Sequence, residues 1–460
     1  MAGAEARSLN AQAVDAIIIG SGQCGVPFSI DLAKDGKRVA LFERDRLGGS
    51  CVNYGCTPSK AFLAAAHVAG RARHAAELNV HAQISVDFPA AMMRTRGLAG
   101  EFRDGVARKL ERAGVRVVHG SARFTGERTV TANGDTFTAP LVVIDTGTTS
   151  FIPPTPGLAG TPYLTNKSFF DLTALPPRMI VMGGGYIGLE LGQGIARMGS
   201  EVHIVDRNEH VLAREEEDAS AVLEDSLMDD GIKLDLEREV ARIEHRNGVF
   251  TAQLDDGTRL EAEALLVAVG RTPNTADLNA AAGGIELDKR GNVKVDAQLR
   301  TTAKGVYAVG DVAGQPAFTH VSWEDYRRLK DIIAGGSRTR DDRVLAYSTF
   351  TEPQVGRVGM TLDEARAKGL NARAVTMPLT ESARAIEWEQ TNGFYRLVVD
   401  ADSAKILGAT LVGYEAGELV HIILAHMMAG STWHVLDNSV HIHPTHAEAL
   451  PTLARKLVKP

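Results

Sequence analysis

Cysteine is scarce in this chain, three in 460 residues, yet Cys51 and Cys56 stand together in Gly48-Gly49-Ser50-Cys51-Val52-Asn53-Tyr54-Gly55-Cys56-Thr57-Pro58-Ser59-Lys60. Two thiols so close can close and open a disulfide, which stores and returns an electron pair. They follow directly on a strand, glycine turn, helix and second strand that read as a dinucleotide site. A redox disulfide beside that site is the simplest chemistry for the pair. Half a zinc site is the alternative, but structural zinc needs two further ligands nearby. Only Cys24 is left, inside a glycine turn, where it reads as a small buried side chain. No metal is expected.

The elements that must position those thiols occur twice. The first copy runs Asp15-Ala16-Ile17-Ile18-Ile19-Gly20-Ser21-Gly22-Gln23-Cys24-Gly25, a helical stretch to Gly36, then Arg38-Val39-Ala40-Leu41-Phe42-Glu43. The second runs Met179-Ile180-Val181-Met182-Gly183-Gly184-Gly185-Tyr186-Ile187-Gly188, a helix to about Met198, then Val202-His203-Ile204-Val205-Asp206. Each joins an apolar run of buried-strand length to a GxGxxG turn, an amphipathic helix and a second strand. Gly20 and Gly183 permit the tight turn, Gly22 and Gly185 let the backbone approach a pyrophosphate, and Gly25 and Gly188 allow close helix packing. The helix N-termini offer N–H groups to phosphates, and Glu43 and Asp206 can accept from ribose hydroxyls. One such turn is a weak signal. Two full copies lead us to expect two bound dinucleotides.

Further strands follow. Leu141-Val142-Val143-Ile144-Asp145-Thr146-Gly147-Thr148 is a strand ending in a turn, Pro153 to Gly157 reads as a linker, and Gly305 to Asp311 is another strand that stops at Gly310-Asp311. From about Val344 the pattern changes to alternating strands and helices of a separate α+β domain. A net charge of −7 offers no basic field to a polyphosphate, so nucleic acid is not an expected partner. No apolar run approaches the roughly 18 residues of a membrane helix, so no membrane association is expected. Residues 1–14 are Ala-rich and polar, without a signal-peptide core, and read as a flexible tail. With so few cysteines, a cytoplasmic location is expected.

With these motifs in view the chain resembles the pyridine nucleotide–disulfide oxidoreductases, whose branches include lipoamide dehydrogenase, glutathione reductase and mercuric reductase. The likeness rests on the first glycine turn with Glu43, the Cys51 to Lys60 motif, Gly185-Tyr186-Ile187-Gly188-Leu189-Glu190, Gly270-Arg271-Thr272-Pro273-Asn274, Gly310-Asp311, and His441-Ile442-His443-Pro444-Thr445-His446-Ala447-Glu448. It implies an α/β fold class: two Rossmann-like dinucleotide-binding domains and a C-terminal α+β dimerisation domain. The expected boundaries are 15–150 for FAD, 151–270 for NAD(P), 271–340 for a central domain completing the FAD site, and 341–460 for dimerisation. By position Cys51 matches the thiol that attacks substrate and Cys56 the thiol beside the flavin. Lys60 and Glu190 match flavin-side residues, Tyr186 the lid over the nicotinamide, and Asp311 the residue holding the ribityl chain. Gly49, Ser50, Thr146, Gly147, Gly310, Gly270 and Arg271 are further cofactor-binding positions on the same likeness.

The resemblance also implies a homodimer in which His443 and Glu448 act on the other subunit's disulfide. The chemistry asks for such a base, because thiolates exchange and thiols do not. Thr445-His446-Ala447-Glu448 has a competing reading as a helix cap, and the two are compatible. The motif's usual serine is Ala447 here, which removes one hydrogen bond around the pair. Glu215-Glu216-Glu217-Asp218 reads as a solvated helix start favoured by the dipole. Asp206 favours NAD, whereas neighbouring Arg207 keeps NADP open as the alternative.

The expected function is a flavin-dependent NAD(P)H:disulfide oxidoreductase, most like lipoamide dehydrogenase, acting on a small-molecule or protein-bound disulfide. A mercuric-reductase-like enzyme is an alternative: Tyr163 to Asn166 and Glu381 to Ile386 look like that branch, although Leu453 to Pro460 holds no cysteine pair. A glutathione-reductase-like enzyme is another, and a non-catalytic flavoprotein subunit is the alternative of a different class.

Overall fold

The structure, a computed structural model, describes residues 11–458. Residues 1–10 of the expected flexible tail lie outside the described residues. The end of that stretch is not loose: Gln12–Ala13 is a short strand paired in parallel with Phe137 and Thr138.

The chain folds as two compact units. One comprises residues up to Ser59, Met93–Phe151 and Gly270–Arg343; the other comprises Lys60–Met92, Ile152–Val269 and Val344 onward. The first glycine-turn copy therefore shares a unit with the 270–343 stretch, and the second shares one with the C-terminal region.

In the first unit a parallel five-stranded sheet carries the order Val306–Ala308, Leu141–Ile144, Ala16–Ile19, Val39–Glu43, Arg116–His119. Its central strands are almost wholly apolar, Glu43 at a strand end apart, because both faces are covered. The period-two alternation divides them. Ile17, Ile19, Ala40 and Phe42 pack on a smaller sheet through Phe124, Val130 and Phe137, while Ile18, Val39 and Leu41 pack on Phe28, Leu110 and Leu329 from helices. Each fully buried Ile or Phe contributes about 1.5–3 kcal/mol.

The second unit repeats the scheme. Its parallel sheet runs Lys233–Leu236, Glu201–Asp206, Arg178–Met182, Ala264–Val267. Met179 and Val181 pack on Leu189, Leu191 and Ile195 of the helix Tyr186–Met198, and Ile180 and Met182 face Ile243 and Phe250 of a three-stranded antiparallel sheet. Gly194 in that helix makes room for Phe62, whose ring a Cβ would meet at 2.6 Å. This seats the helix Cys56–His74. From Ala346 on, a five-stranded antiparallel sheet supports the helices Ala416–Met428 and Ala449–Arg455 around Tyr395, Leu397, Leu411 and Leu450.

Candidate active site

The first glycine turn is shaped by backbone crowding. Gly20 has φ +107° and a Cβ there would lie 2.2 Å from the Asp145 carbonyl; on Gly25 it would lie 2.1 Å from the Gly20 carbonyl. Glu43 closes the turn: its Oε2 accepts from the Ser21 N–H at 3.0 Å and the Ser21 hydroxyl at 2.6 Å. The Gly48 N–H donates to Ser21 Oγ at 3.0 Å, tying the cysteine segment to this turn. Behind it lies a carboxylate that sequence reasoning passed over. Asp145 is buried, and its Oδ2 accepts the Gly25 N–H at 2.8 Å while the Ser322 hydroxyl lies 3.3 Å from Oδ1. Burial lifts its pKa to about 8 against the opposing pull of the Gly25 N–H and Ser322.

Next to this turn, Gly48 and Gly49 adopt positive φ (+97° and +65°) and start the short helix Gly49–Tyr54, which carries Cys51; Ser50 is exposed there. Cys56 opens the helix Cys56–His74. Both cysteines stand as thiols. The Cys51 thiol hydrogen-bonds Cys56, and that bond, followed by burial, pushes it far above its ordinary range. Cys56 Sγ lies 3.0 Å from the Thr319 hydroxyl, at the first residue of the helix Thr319–Ile333. Cys56 thus sits at the positive end of one long helix and against the start of another, an environment that favours its thiolate.

Around the turn at Thr146-Gly147, with Gly147 at φ +61°, lies a set that fits a flavin dinucleotide. The Thr148 hydroxyl donates to Asp311 at 2.7 Å, and Arg271 donates to the Thr148 hydroxyl at 2.6 Å and its carbonyl at 2.8 Å. The Gly310 N–H is held by buried Asp325 at 2.8 Å. Thr146 Oγ1 is buried without a hydrogen-bond partner among the described residues, an acceptor and donor left over for a ligand.

The second turn repeats the first. A Cβ on Gly183 would lie 2.6 Å from the Ala268 carbonyl, and one on Gly188 1.9 Å from the Gly183 carbonyl. Asp206 accepts the Gly184 N–H at 2.6 Å and the Asn208 N–H at 2.8 Å, and Arg207 beside it is exposed. A Cβ on Gly185 would meet nothing within 4 Å, so this turn is open where a dinucleotide would approach. Gly270, at φ +152°, is exposed just after the strand Ala264–Val267. Lys60, one turn beyond Cys56, donates to Glu190 at 2.7 Å and sits 4.2 Å over the Phe350 ring. Glu190 also accepts the Phe350 N–H at 3.0 Å, with its side chain 8% exposed, so this is a built contact and no ordinary surface pair.

His443 and Glu448 pair through Nδ1 at 2.9 Å. Thr445 accepts the Glu448 N–H at 3.3 Å, so the cap exists too, and the Glu448 carboxylate goes to the histidine. His443 is 72% exposed, its Nε2 the ring nitrogen left to meet another group. Neighbouring Val440 and Ile442 are exposed as well.

A family profile described as pyridine nucleotide-disulphide oxidoreductase matches residues 14–325, and one for its dimerisation domain matches 345–454. The chain belongs to the pyridine nucleotide–disulfide oxidoreductases. It is 33% identical to the probable pyridine nucleotide-disulfide oxidoreductase RclA of Escherichia coli, over 95% of this chain and 98% of that protein. Mercuric reductase of Bacillus cereus is also 33% identical, over 95% of this chain and 70% of its own length. Dihydrolipoyl dehydrogenase of Haloferax volcanii matches at 33%, covering 96% and 95%. Among solved structures, the HOCl-induced flavoprotein disulfide reductase RclA from Escherichia coli aligns with a TM-score of 0.88 at 33% identity, over 97% of this chain and all of that one. As a pyridine nucleotide–disulfide oxidoreductase the chain is a flavin-dependent enzyme using FAD and NAD(P)H, and its dimerisation domain fits a homodimer. Among the described residues, no helix is long and apolar enough to cross a membrane.

Thr319, Asp145 and Glu215 touch the cysteine pair and the two turns, and sequence reasoning did not single them out. Thr319 is 263 positions from Cys56, beyond any local pattern. Asp145 had a signal in the repeat itself: the matching position after the second copy's strand is Ala268. Glu215 corrects an expectation, since it is no solvated helix start: its side chain is fully buried, and Glu216 is largely covered. The helix begins only at Glu217. The segment turns inward because buried Arg357 and half-buried Arg396 give these carboxylates partners.

Proposed function

We propose that the chain passes electrons from NAD(P)H to a disulfide substrate through Cys51 and Cys56, in the manner of a lipoamide dehydrogenase, with FAD on the first glycine turn and the nicotinamide dinucleotide on the second. The observation that carries this is the placing of two free thiols on consecutive helices, Cys51 within Gly49–Tyr54 and Cys56 opening Cys56–His74 with the Thr319 hydroxyl 3.0 Å from its Sγ. When bound, FAD supplies a two-electron relay between nicotinamide and disulfide. Glu43, Asp145, Thr148 and Asp311 would hold and orient it; Asp206 and the second turn would hold the nicotinamide carrier.

In the reduced pair Cys56 is the thiolate the helix ends favour, and Cys51 is the thiol that must lose its proton to act. His443, its tautomer fixed by Glu448, is the base we assign to Cys51 of the partner subunit. The Cys51 thiolate attacks one substrate sulfur and forms a mixed disulfide. The departing sulfur takes the proton back from His443. The Cys56 thiolate then attacks Cys51, restores the disulfide and releases the second sulfur as a thiolate, which takes its proton from solvent. Exposure of His443 together with Val440 and Ile442 supports this assignment across the dimer. Because the reaction draws on NAD(P)H and a reversible dithiol, we place the enzyme in the cytoplasm.

A soft metal ion is the second reading, favoured by the equal identity to mercuric reductase and by the 0.89 TM-score to a Cu(II) complex of RclA. Two adjacent thiols can bind such an ion. Assays of wild type and Cys51→Ser with NADH and lipoamide, glutathione disulfide, Hg(II) or Cu(II) test both. We expect Cys51→Ser to lose disulfide turnover while still reducing an artificial acceptor; undiminished disulfide reduction would refute the thiol assignment. Mixing Cys51→Ser subunits with His443→Ala subunits should restore about a quarter of the activity, since half the dimers then hold one complete site. No recovery on mixing would refute the assignment across subunits.

A further inference from the structure

Glu215 is a carboxylate with no solvent contact and three donors. Its Oε1 accepts the Tyr186 hydroxyl at 2.7 Å and the Tyr347 hydroxyl at 2.9 Å, and its Oε2 accepts Arg357 at 3.2 Å. The two rings meet edge to face at 6.0 Å. Arg357 is itself buried and also pairs with Glu364, so the carboxylate keeps a cation whatever the tyrosines do. Burial and the nearby carboxylate push both tyrosine hydroxyls well above their ordinary range, so they remain donors.

The three donors come from different places. Tyr186 is the first residue of the helix that follows the second glycine turn, whereas Tyr347 and Arg357 stand on adjacent strands of the C-terminal sheet. Glu215 lies on the stretch that leaves Asp206. That stretch is anchored: the Leu212 N–H donates to the Gly184 carbonyl at 2.9 Å, with Leu212 in the left-handed region at φ +48°. Glu215 is thus fixed against the turn, and its Tyr186 contact is the one of the three made by a residue of that turn.

We propose that Glu215 is the catch of the Tyr186 lid: its carboxylate holds the ring shut by one hydrogen bond and stays satisfied by Tyr347 and Arg357 when the ring swings away. The idea rests on the reading of Tyr186 as the lid over the nicotinamide pocket. Its physical content is a matter of what is left behind. A buried carboxylate stripped of its partners is costly, but one that keeps an arginine and a tyrosine loses a single charge-assisted bond. Opening is therefore cheap enough for turnover and costly enough to favour the shut state. A closed lid competes with the nucleotide, so the apparent affinity is lowered by the fraction of molecules shut. Glu215 acts here as a positioning residue, through Tyr186.

The test uses holoenzyme and measures the dissociation constant for NAD⁺ by flavin fluorescence, the KM for NADH, and the melting temperature. Tyr186→Phe keeps the ring and removes its bond; Glu215→Gln weakens the acceptor; Tyr186→Ala removes the lid. We expect Tyr186→Phe and Glu215→Gln each to tighten NAD⁺ binding by about tenfold, the worth of one bond to a charged acceptor, with KM falling in step. The double variant should tighten binding no further than the stronger single, because both changes remove or weaken the same Tyr186–Glu215 bond. If Tyr186→Ala tightens binding but neither of the others does, the lid stands and the catch is overturned. No tightening in Tyr186→Ala overturns the lid reading and the catch with it. A Glu215→Gln protein that merely melts earlier, with unaltered nucleotide affinity, shows Glu215 to be structural and also overturns the proposal.

Discussion

The two glycine turns share their backbone bonds and differ in what stands behind them. Gly20 donates to Phe42 and Asp145 to Ile19, both at 2.8 Å; Gly183 donates to Val205 and Ala268 to Met182, again at 2.8 Å. Residue for residue, Asp145 corresponds to Ala268, Glu43 to Asp206 and Gln23 to Tyr186. In the first turn a buried carboxylate fills the space behind Gly22, which a Cβ would enter at 2.5 Å from Asp145 Oδ2. The matching space at Gly185 is open. Glu43 is buried, whereas Asp206 is partly exposed and followed by exposed Arg207 and Asn208. One folding unit has been backed by a buried carboxyl group in the first copy and left open in the second. That is what a resident flavin and an exchanging nicotinamide respectively require, and the distinction rests on side chains around an unchanged turn.

The sharpest way to break this comparison is to damage each turn alike. Alanine at Gly25 or Gly188 puts a Cβ 2.1 or 1.9 Å from a backbone carbonyl, which the chain can relieve only by opening the turn. Overpacking of even a milder sort costs about 1–3 kcal/mol, or roughly ten- to a hundredfold in affinity. Gly25→Ala should purify without yellow colour. Gly188→Ala should keep its FAD absorption and show a nicotinamide KM raised by at least about tenfold. Absorption spectra and NADH kinetics of the two variants decide it; the opposite pattern would exchange our assignment of the turns.

A second experiment removes the difference itself. Asp145 has its pKa raised to about 8 because burial outweighs the helix N–H groups that favour its charge. A carboxyl so raised remains protonated in the folded protein while the unfolded chain ionises it near pH 4. The contribution of Asp145 to stability is then fully present below about pH 4 and declines as pH rises towards about 8, levelling off above. Asp145→Asn, which cannot ionise, should lose that part of the slope, and Asp145→Ala should make the first turn resemble the second. Melting temperatures of wild type and Asp145→Asn between pH 5.5 and 8.5 measure it. An equal decline in both proteins would show that the carboxylate is ionised throughout and that burial does not govern this turn.

The repeated turns and the cysteine pair were legible because each rests on a short motif whose residue types perform one job, whereas the Lys60–Glu190 and His443–Glu448 pairs were reached through the family resemblance. Gly20 to Glu43 carries its own explanation in spacing. What the sequence concealed lies in contacts between distant segments. Thr319 has no local mark that would send it to Cys56. The run from Glu215 to Asp218 has the composition of a solvated surface, and Glu215 turns inward to partners as distant as Arg357, 142 positions later. Asp145 sits after four apolar residues in an ordinary strand, and its burial follows from the covering of both faces of that sheet. Even there the repeat held a clue, since an acid opposite an alanine is a change of chemistry inside a conserved geometry.

The smallest expected effect concerns the rim of the second turn, where nucleotide choice is made. Asp206 already accepts the Gly184 and Asn208 N–H groups, so its charge is held at the strand end, where it can accept from a ribose and repel a 2′-phosphate. Arg207 is exposed, and an exposed charge acts through a screened, high-dielectric path. The carboxylate should therefore dominate, with kcat/KM greater for NADH than for NADPH in the wild type. Asp206→Asn should narrow the ratio by about tenfold, the worth of a bond to a charged acceptor. Arg207→Ala should move it by less than about threefold, in favour of NADH. A wild-type preference for NADPH that collapses in Arg207→Ala would reverse the ranking, and would show that this open rim selects its ligand by the exposed cation and not by the acid at the strand end.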